Sequence, residues 1–352
     1  MPSPPVRPAL AVALTGLNAT DSPGPGVAVA RALHESPDYA VRVVGLCYDA
    51  LEPGLYLHEL IAKTYQLPYP AAGPGALLAR LAAVQAREKI DVLIPNFDAE
   101  LPHFIALEPE LRALGIRLFV PTAAQLAARD KQQLAAFGAR HGLRVPATQA
   151  VAHAGALAGA AAALGWPLVL KGPHYDAHVA HTLAQAEAAF QALSARWGGP
   201  VLAQAFVKGQ EINVAGLADG HGRLLSAVPM RKLTITDKGK AWAGVTLHDE
   251  ALGALAARFA AATQWRGGFE LELVRTAAGE LFVLEINPRF PAWVYLTAAA
   301  GHNQPALLLR LALGEAVPEL PPPAVGKLFV RYAWDLIADL ADFQQMAATG
   351  EL

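Results

Sequence analysis

The stretch GGFELELVRTAAGELFVLEINPRF, residues 267–290, most constrains what this chain can fold into. Two apolar–polar alternating runs flank a short turn, and successive side chains of a strand point to opposite faces. Glu270, Glu272 and Val274 therefore share one face, with Phe269, Leu271 and Leu273 on the other. In the second run Phe282, Leu284 and Ile286 are expected to face a core, leaving Val283, Glu285 and Asn287 opposite. A four-residue turn at 277–280 sets Glu272 against Glu285 and Glu270 against Asn287, so three carboxylates and an amide converge. Like charges opposed across strands destabilise a sheet unless something compensates. Hard oxygen ligands in such a cluster suit Mg²⁺, which keeps several waters and takes further ligands from phosphates. The alternative is a solvated acidic face.

The rest of the chain can support such a hairpin. With 54% hydrophobic and 16% charged residues among 352, it has ample material for buried cores, and disorder is excluded. That length implies two or three domains. A formal net charge of −2 leaves no electrostatic footprint for nucleic acid or an anionic membrane. The single cysteine, Cys47, cannot form an intramolecular disulfide and reads as a small buried hydrophobe. The longest apolar run, Ala154 to Leu170, is interrupted by Trp166-Pro167 and reads as a short helix followed by a strand. Arg7 followed by ALAVALTGL is a weak secretory-signal pattern, but the Gly/Pro segment after it reads better as the loop of a strand–helix unit. A soluble, cytoplasmic protein is expected, with neither nucleic acid nor membrane as partner.

Strand and helix signals alternate through the first third: Ala9–Leu14, a loop from Gly16 to Gly26, a helix to His34, Val41–Leu46, a helix at Leu77–Glu88, then Val92–Ile94. Such alternation predicts parallel strands joined by helical crossovers. The loop SPGPG is either a phosphate-binding glycine turn or a bare structural turn, since it lacks the GxGxxG spacing. From Val120 a helical segment runs to about His141 with Arg129-Asp130-Lys131 inside it. An Ala-rich helix and the strand Leu168–Lys171 follow, and beyond Gly198-Gly199-Pro200 the chain becomes strand-rich.

The segment VLEINPRF resembles the metal-binding signature of the ATP-grasp superfamily, in particular its carbamoyl-phosphate-synthetase-like and carboxylate–amine ligase branches. Matching motifs occur upstream in order: Asp130-Lys131 resembles the family's DK helix, WPLVLK the strand with its second lysine, and VLAQAFVKGQEINV its hinge. The resemblance implies that Glu272, Glu285 and Asn287 bind Mg²⁺ or Mn²⁺, with Glu270 a further ligand or a support to the others. It implies that Arg289 faces the reacting phosphate and that Lys131 and Lys171 neutralise the triphosphate of ATP. Gln204 meets adenine, Glu211 accepts from the ribose hydroxyls, and Arg231, preferred over Lys232 for its planar fork, faces the γ-phosphate or substrate carboxylate. The family's glycine-rich lid is replaced by KGPHYDAHVAH, where His174, Tyr175, Asp176 and His178 substitute side-chain contacts or read an acceptor; His174 with His178 is the pair for a metal alternative. Asp98 and Glu100 match an N-terminal-domain loop and read as structural. TDKGKAWAG, with Lys238, Lys240 and Trp242, is a loop near the phosphates or a hairpin tip.

The implied fold is an N-terminal open parallel α/β (pre-ATP-grasp) domain at 1–119, followed by a two-subdomain ATP-grasp fold. That fold comprises a lid subdomain at 120–199 and a larger subdomain with the metal hairpin at 200–320, with an appendage of one strand and one helix at 321–352. The implied activity is an ADP-forming carboxylate–amine ligase, joining a small-molecule carboxylate to an amine, an amino acid or peptide, through an acyl-phosphate, with catalysis resting on Lys171, Arg231 and Arg289. Bicarbonate or carbamoyl chemistry is the alternative, as is a non-catalytic nucleotide-binding homologue, which the intact hairpin argues against. A homodimer is the prior for assembly.

Overall fold

The structure is a computed structural model that describes residues 8–19, 23–172, 176–236 and 239–352. The chain begins as the alternation predicts. Strands β1 (Ala9–Leu14), β2 (Ala40–Cys47), β3 (Lys63–Gln66) and β4 (Val92–Ile94) form a parallel sheet in the order β3-β2-β1-β4. Helices α1 (Gly26–His34) and α2 (Pro74–Glu88) are its crossovers, and α3 (Leu101–Ala106) and α4 (Glu108–Ala113) follow β4. α2 opens on a proline whose missing N–H costs a first turn nothing, and buries Leu77, Leu81 and Val84 along one stripe. β1 is flanked by β2 and β4, so Val12, Ala13 and Leu14 are fully enclosed. Its order reverses between β1 and β4, and the loops leaving those two strands carry Thr15, Asn96 and Glu100.

Helices α5 (Ala123–Ala128) and α6 (Leu134–His141) come next, with β5 (Thr148–Val151), α7 (Leu157–Leu164), β6 (Leu168–Lys171), β7 (Ala177–Ala180), α8 (Leu183–Trp197) and β8 (Val201–Ala205). The strands form an antiparallel sheet, β5-β8-β6-β7. Leu157, Ala160 and Ala161 of α7 and Ala186, Phe190 and Leu193 of α8 pack with Val151, Leu168, Leu170, Val201 and Ala203. Alanine at the helix contacts is what lets short helices pack closely. Thr182 caps α8 by accepting from the Gln185 N–H at 3.3 Å.

The remaining elements are β9 (Gln210–Asp219), β10 (Leu224–Ile235), β11 (Ala241–Thr246), α9 (Glu250–Thr263), β12 (Arg266–Arg275), β13 (Leu281–Asn287), α10 (Tyr295–Ala299), α11 (Gln304–Leu313), β14 (Leu328–Val330) and α12 (Leu340–Thr349). Their sheet runs β13-β12-β9-β10-β11-β14. Gly216 is required in β9, because a Cβ there would lie 2.1 Å from the Phe269 ring. After β14 and α12 the chain returns to the first sheet: the Gln66 N–H donates to Gly350 O at 2.8 Å and the Thr64 N–H to Leu352 O at 2.8 Å, so the last residues pair beside β3. Met346 of α12 is buried in that core.

Contacts group the residues into two compact units. One comprises Met1–Ala123, Val214–Glu270 and Asn287–Leu352; the other comprises Ala124–Asn213 and Leu271–Ile286. The division crosses β9, β12 and β13. No helix among the described residues is long and apolar enough to cross a membrane.

Candidate active site

In the second unit, two lysines from separate elements meet the outer strand of the acidic hairpin. Lys131 does not lie inside a helix as expected. α5 and α6 are separate, and Asp130-Lys131 sits in the turn between them. The Asp130 side chain accepts from the Gln132 N–H at 2.8 Å, a local bond that competes with helical pairing and ends the helix there. From this turn the Lys131 ammonium approaches Glu285 Oε1 at 3.4 Å. Lys171, at the end of β6, donates from Nζ to Leu284 O at 3.3 Å. Burial pushes the Lys171 pKa down, with Lys131 adding to the fall while Glu285 and Glu272 oppose it. The two ammonium groups thus share a carboxylate-lined environment, which suits neutralisation of a polyanion. Arg144 ties down the same strand: its carbonyl accepts from the Val283 N–H at 2.8 Å and its guanidinium pairs with Glu280.

In the first unit, the other end of the hairpin is closed by hydrogen bonds. Asn287 and Glu270 are buried, and Asn287 Nδ2 donates to Glu270 Oε2 at 2.9 Å. The indole N–H of Trp293 donates to the second oxygen, Oε1, at 2.7 Å. Arg289 Nε donates to Asp98 Oδ1 at 2.9 Å, which gives the structural loop of Asp98 a direct hold on the arginine. Glu100 accepts at Oε1 from the N–H groups of Asn96 at 2.8 Å and Phe97 at 3.0 Å and from the Thr15 hydroxyl, and at Oε2 from Tyr48 OH at 2.5 Å. Those bonds tie Glu100 to the loops after β1, β2 and β4.

The hairpin departs from expectation in two ways. The Gly279 N–H donates to Thr276 O at 2.9 Å and the Thr276 N–H to Glu280 O at 3.0 Å, so the turn proper is three residues, 277–279, with Gly279 at φ 82°. Thr276 therefore opposes Glu280 rather than Leu281, while the Glu270–Asn287 bond agrees with the expected register at the far end. Val283 is also fully buried, whereas Phe282 and Leu284 are only half-buried. The three-carboxylate convergence is absent: among the described residues no three His, Cys, Asp or Glu side chains gather in metal-binding range. Glu270 is instead engaged by Asn287 and Trp293. Glu272 and Glu285 in the second unit and Asn287 in the first carry hard oxygen donors, the type that suits Mg²⁺.

The other nominated residues are placed as follows. Gln204 on β8 is buried, lies opposite Thr148 on β5, and donates to its Oγ1 at 3.0 Å. Glu211, at the start of β9, is half-buried. Arg231 on β10 is exposed and pairs in register with Val245; Lys232 is the more enclosed of the two and donates to Gly239 O at 3.3 Å. The lid after Lys171 is a β6–β7 hairpin, closed by the Gly172 N–H donating to Asp176 O at 3.1 Å. Asp176 is gripped by the Trp197 indole at 2.8 Å and by Arg196 at 3.1 Å. His178 on β7 opposes Leu170 on β6; His174, Tyr175 and Lys238 lie outside the described residues. At the SPGPG loop the Gly24 and Gly26 N–H groups donate to Asn18 O and Gly16 O, and Ser22 lies outside the described residues. Sequence reasoning missed Trp293, whose only signal was an aromatic six residues past Asn287, and missed Arg144 altogether.

This order of elements has relatives of known structure. Residues 199–334 match the family model described as ATP-grasp in the biosynthetic pathway with Ter operon. The biotin carboxylase domain of the Hydrogenobacter thermophilus 2-oxoglutarate carboxylase, solved with MgADP, ADP and bicarbonate, superposes with a TM-score of 0.68 at 16% identity, over 87% of this chain and 70% of that one. The ADP complex of purK, an N5-carboxyaminoimidazole ribonucleotide synthetase, gives 0.68 at 17% identity over 90% and 80%. The chain has the ATP-grasp fold. An L-amino acid ligase from Bacillus licheniformis shares it, with a TM-score of 0.64 at 16% identity over 88% and 75% of the two chains. The expectation of an open parallel α/β layer followed by an ATP-grasp fold is met.

Proposed function

We propose that this ATP-grasp chain is an ADP-forming ligase that joins a small-molecule carboxylate to an amine. The observation that carries this reading is the approach of Lys131 to Glu285 at 3.4 Å beside the enclosed Lys171 ammonium. Two cations held against a carboxylate, on elements far apart in sequence, are a costly arrangement to maintain without an anionic ligand. ATP is that ligand, with Mg²⁺ or Mn²⁺ held by Glu272, Glu285 and Asn287. The cation, when bound, neutralises charge on the phosphoryl oxygens. ADP complexes of proteins sharing the fold support a nucleotide, and the fold of the L-amino acid ligase supports an amine acceptor.

In this reading a carboxylate oxygen of the substrate attacks the γ-phosphorus and the bond to ADP breaks, giving an acyl-phosphate. The amine nitrogen then attacks the acyl carbon, phosphate departs with the carboxylate's oxygen, and the amine proton passes to solvent. Lys131 and Lys171 hold the phosphates, Gln204 and Glu211 the nucleoside, and Arg231 and Arg289 the developing charge. The chain's part is positioning and neutralisation, with no covalent enzyme intermediate.

A panel of amino acids and small carboxylates, one ¹⁸O-labelled at its carboxylate, tests the reaction through ADP release. The expected result is ADP, phosphate carrying one ¹⁸O, and an amide in equal amounts. Turnover dependent on labelled bicarbonate, with label entering the product, would favour the carboxylating alternative. Absence of Mg²⁺-dependent ATP binding in calorimetry would remove the proposal.

A further inference from the structure

We infer that Glu270 is a positioning residue and not a cation ligand: with Trp293 it sets which end of the Asn287 amide faces the metal. The inference rests on the reading of Asn287 as a ligand, decides between the two roles that the resemblance leaves open for Glu270, and adds Trp293, which the motif does not assign. An asparagine side chain ends in an oxygen and an NH₂ of nearly equal size, and only its hydrogen bonds choose between its two orientations. A cation requires the oxygen. An ionised carboxylate accepts and cannot donate, so Glu270 Oε2 at 2.9 Å selects the NH₂ and turns Oδ1 to the opposite side.

The carboxylate needs fixing in turn, and the indole N–H, a donor only, fixes it from the other oxygen at 2.7 Å. All three side chains are at most 5% exposed, so water does not compete for these bonds. Were Glu270 to swing onto a cation, a buried indole N–H and a buried amide NH₂ would both lose this acceptor, which is costlier than leaving the bonds made. Trp293 itself packs with Ala215, Met230 and Leu296, so its nitrogen is held by the core. The chain from core to indole to carboxylate to amide is the arrangement by which supporting groups orient metal ligands.

Glu270→Gln tests this, because a neutral amide cannot accept from both partners. Either Asn287 flips its NH₂ toward the cation or the indole faces another NH₂. Mn²⁺ titrated into the full chain with ADP present, and followed by electron paramagnetic resonance, should bind at least about tenfold more weakly to Glu270→Gln. The double variant Glu270→Gln/Trp293→Phe removes the competing donor and should recover to within about threefold of wild type, a rescue that a merely structural role does not give. Wild-type affinity in the single variant, or no recovery in the double, overturns the inference. Should Glu270→Gln not fold, Trp293→Phe carries the test: it should weaken Mn²⁺ binding by about two- to threefold, with unchanged affinity the overturning result. Asn287→Ala and Glu285→Ala separate the two levels: if both bind Mn²⁺ normally, the ligand reading has failed, whereas if both lose it and Glu270→Gln does not, only the positioning role has.

Discussion

Glu100 of the N-terminal layer and Glu285 of the hairpin are both acidic residues in recognisable motifs, and the folded chain uses them in opposite ways. Glu100 is completely enclosed, and its oxygens accept from two backbone N–H groups and two hydroxyls. The side chain of Glu285 keeps 28% exposure and looks toward an ammonium at 3.4 Å. A carboxylate saturated by fixed donors cannot exchange partners and so serves as scaffold. One balanced by a long cationic side chain can trade that partner for a ligand at little cost. The surroundings of an acid, more than its motif, separate stability from chemistry.

The contrast makes its largest claim at Glu285. Glu285→Ala should lower Mg²⁺-dependent ADP release about a thousandfold, roughly 4 kcal/mol of transition-state stabilisation, with the fold retained by circular dichroism. Loss of folding rather than turnover would erase the distinction. Glu100→Ala should do the reverse. It leaves the Phe97 N–H and the Thr15 and Tyr48 hydroxyls without this acceptor, for a loss of about 3 kcal/mol in chemical denaturation.

Burial raises the Glu100 carboxyl above its ordinary 4.5. The folded state therefore holds the proton more tightly, and this group's contribution falls as pH rises from the ordinary value through the raised one. Glu100→Gln should flatten that part of the stability profile.

A smaller effect probes packing under the hairpin. Gly216→Ala places a methyl 2.1 Å from a Phe269 ring that already packs on Phe259 and Trp265, with centroids 4.8 and 6.2 Å away. Overpacking of this kind costs about 2 kcal/mol, read as a lower denaturation midpoint. The smallest shift is expected at Lys171→Met. With its folded pKa below the ordinary 10.5, the unfolded chain binds the proton more tightly, so stability rises with pH between the two values. Methionine should remove that rise and lift Tm slightly at neutral pH while ATP turnover is lost. A drop in Tm would show that the lysine is held for structure.

Much of this was legible before any coordinates. Alternating runs and crossovers predicted the parallel layer, because hydrophobic periodicity follows directly from which faces must be buried. The order of the two lysines and the acidic strand carried the fold resemblance. Local competition was harder to read: Asp130 breaks its helix through one side-chain bond, and a three-residue turn replaced a four-residue one because Gly279 accepts a positive φ.

Residue types and their spacing along the chain predicted the parallel layer and the strands, since these depend on local preference and pattern, while the resemblance supplied the candidate ligands. Which acid is saturated and which is available, that Glu270 faces Trp293 and Asn287, and that Lys131 reaches Glu285 depend on side chains brought together from distant segments. Hydrogen bonding and desolvation act over a few ångströms in space, whatever the separation in sequence, so those assignments came into view only with the folded molecule.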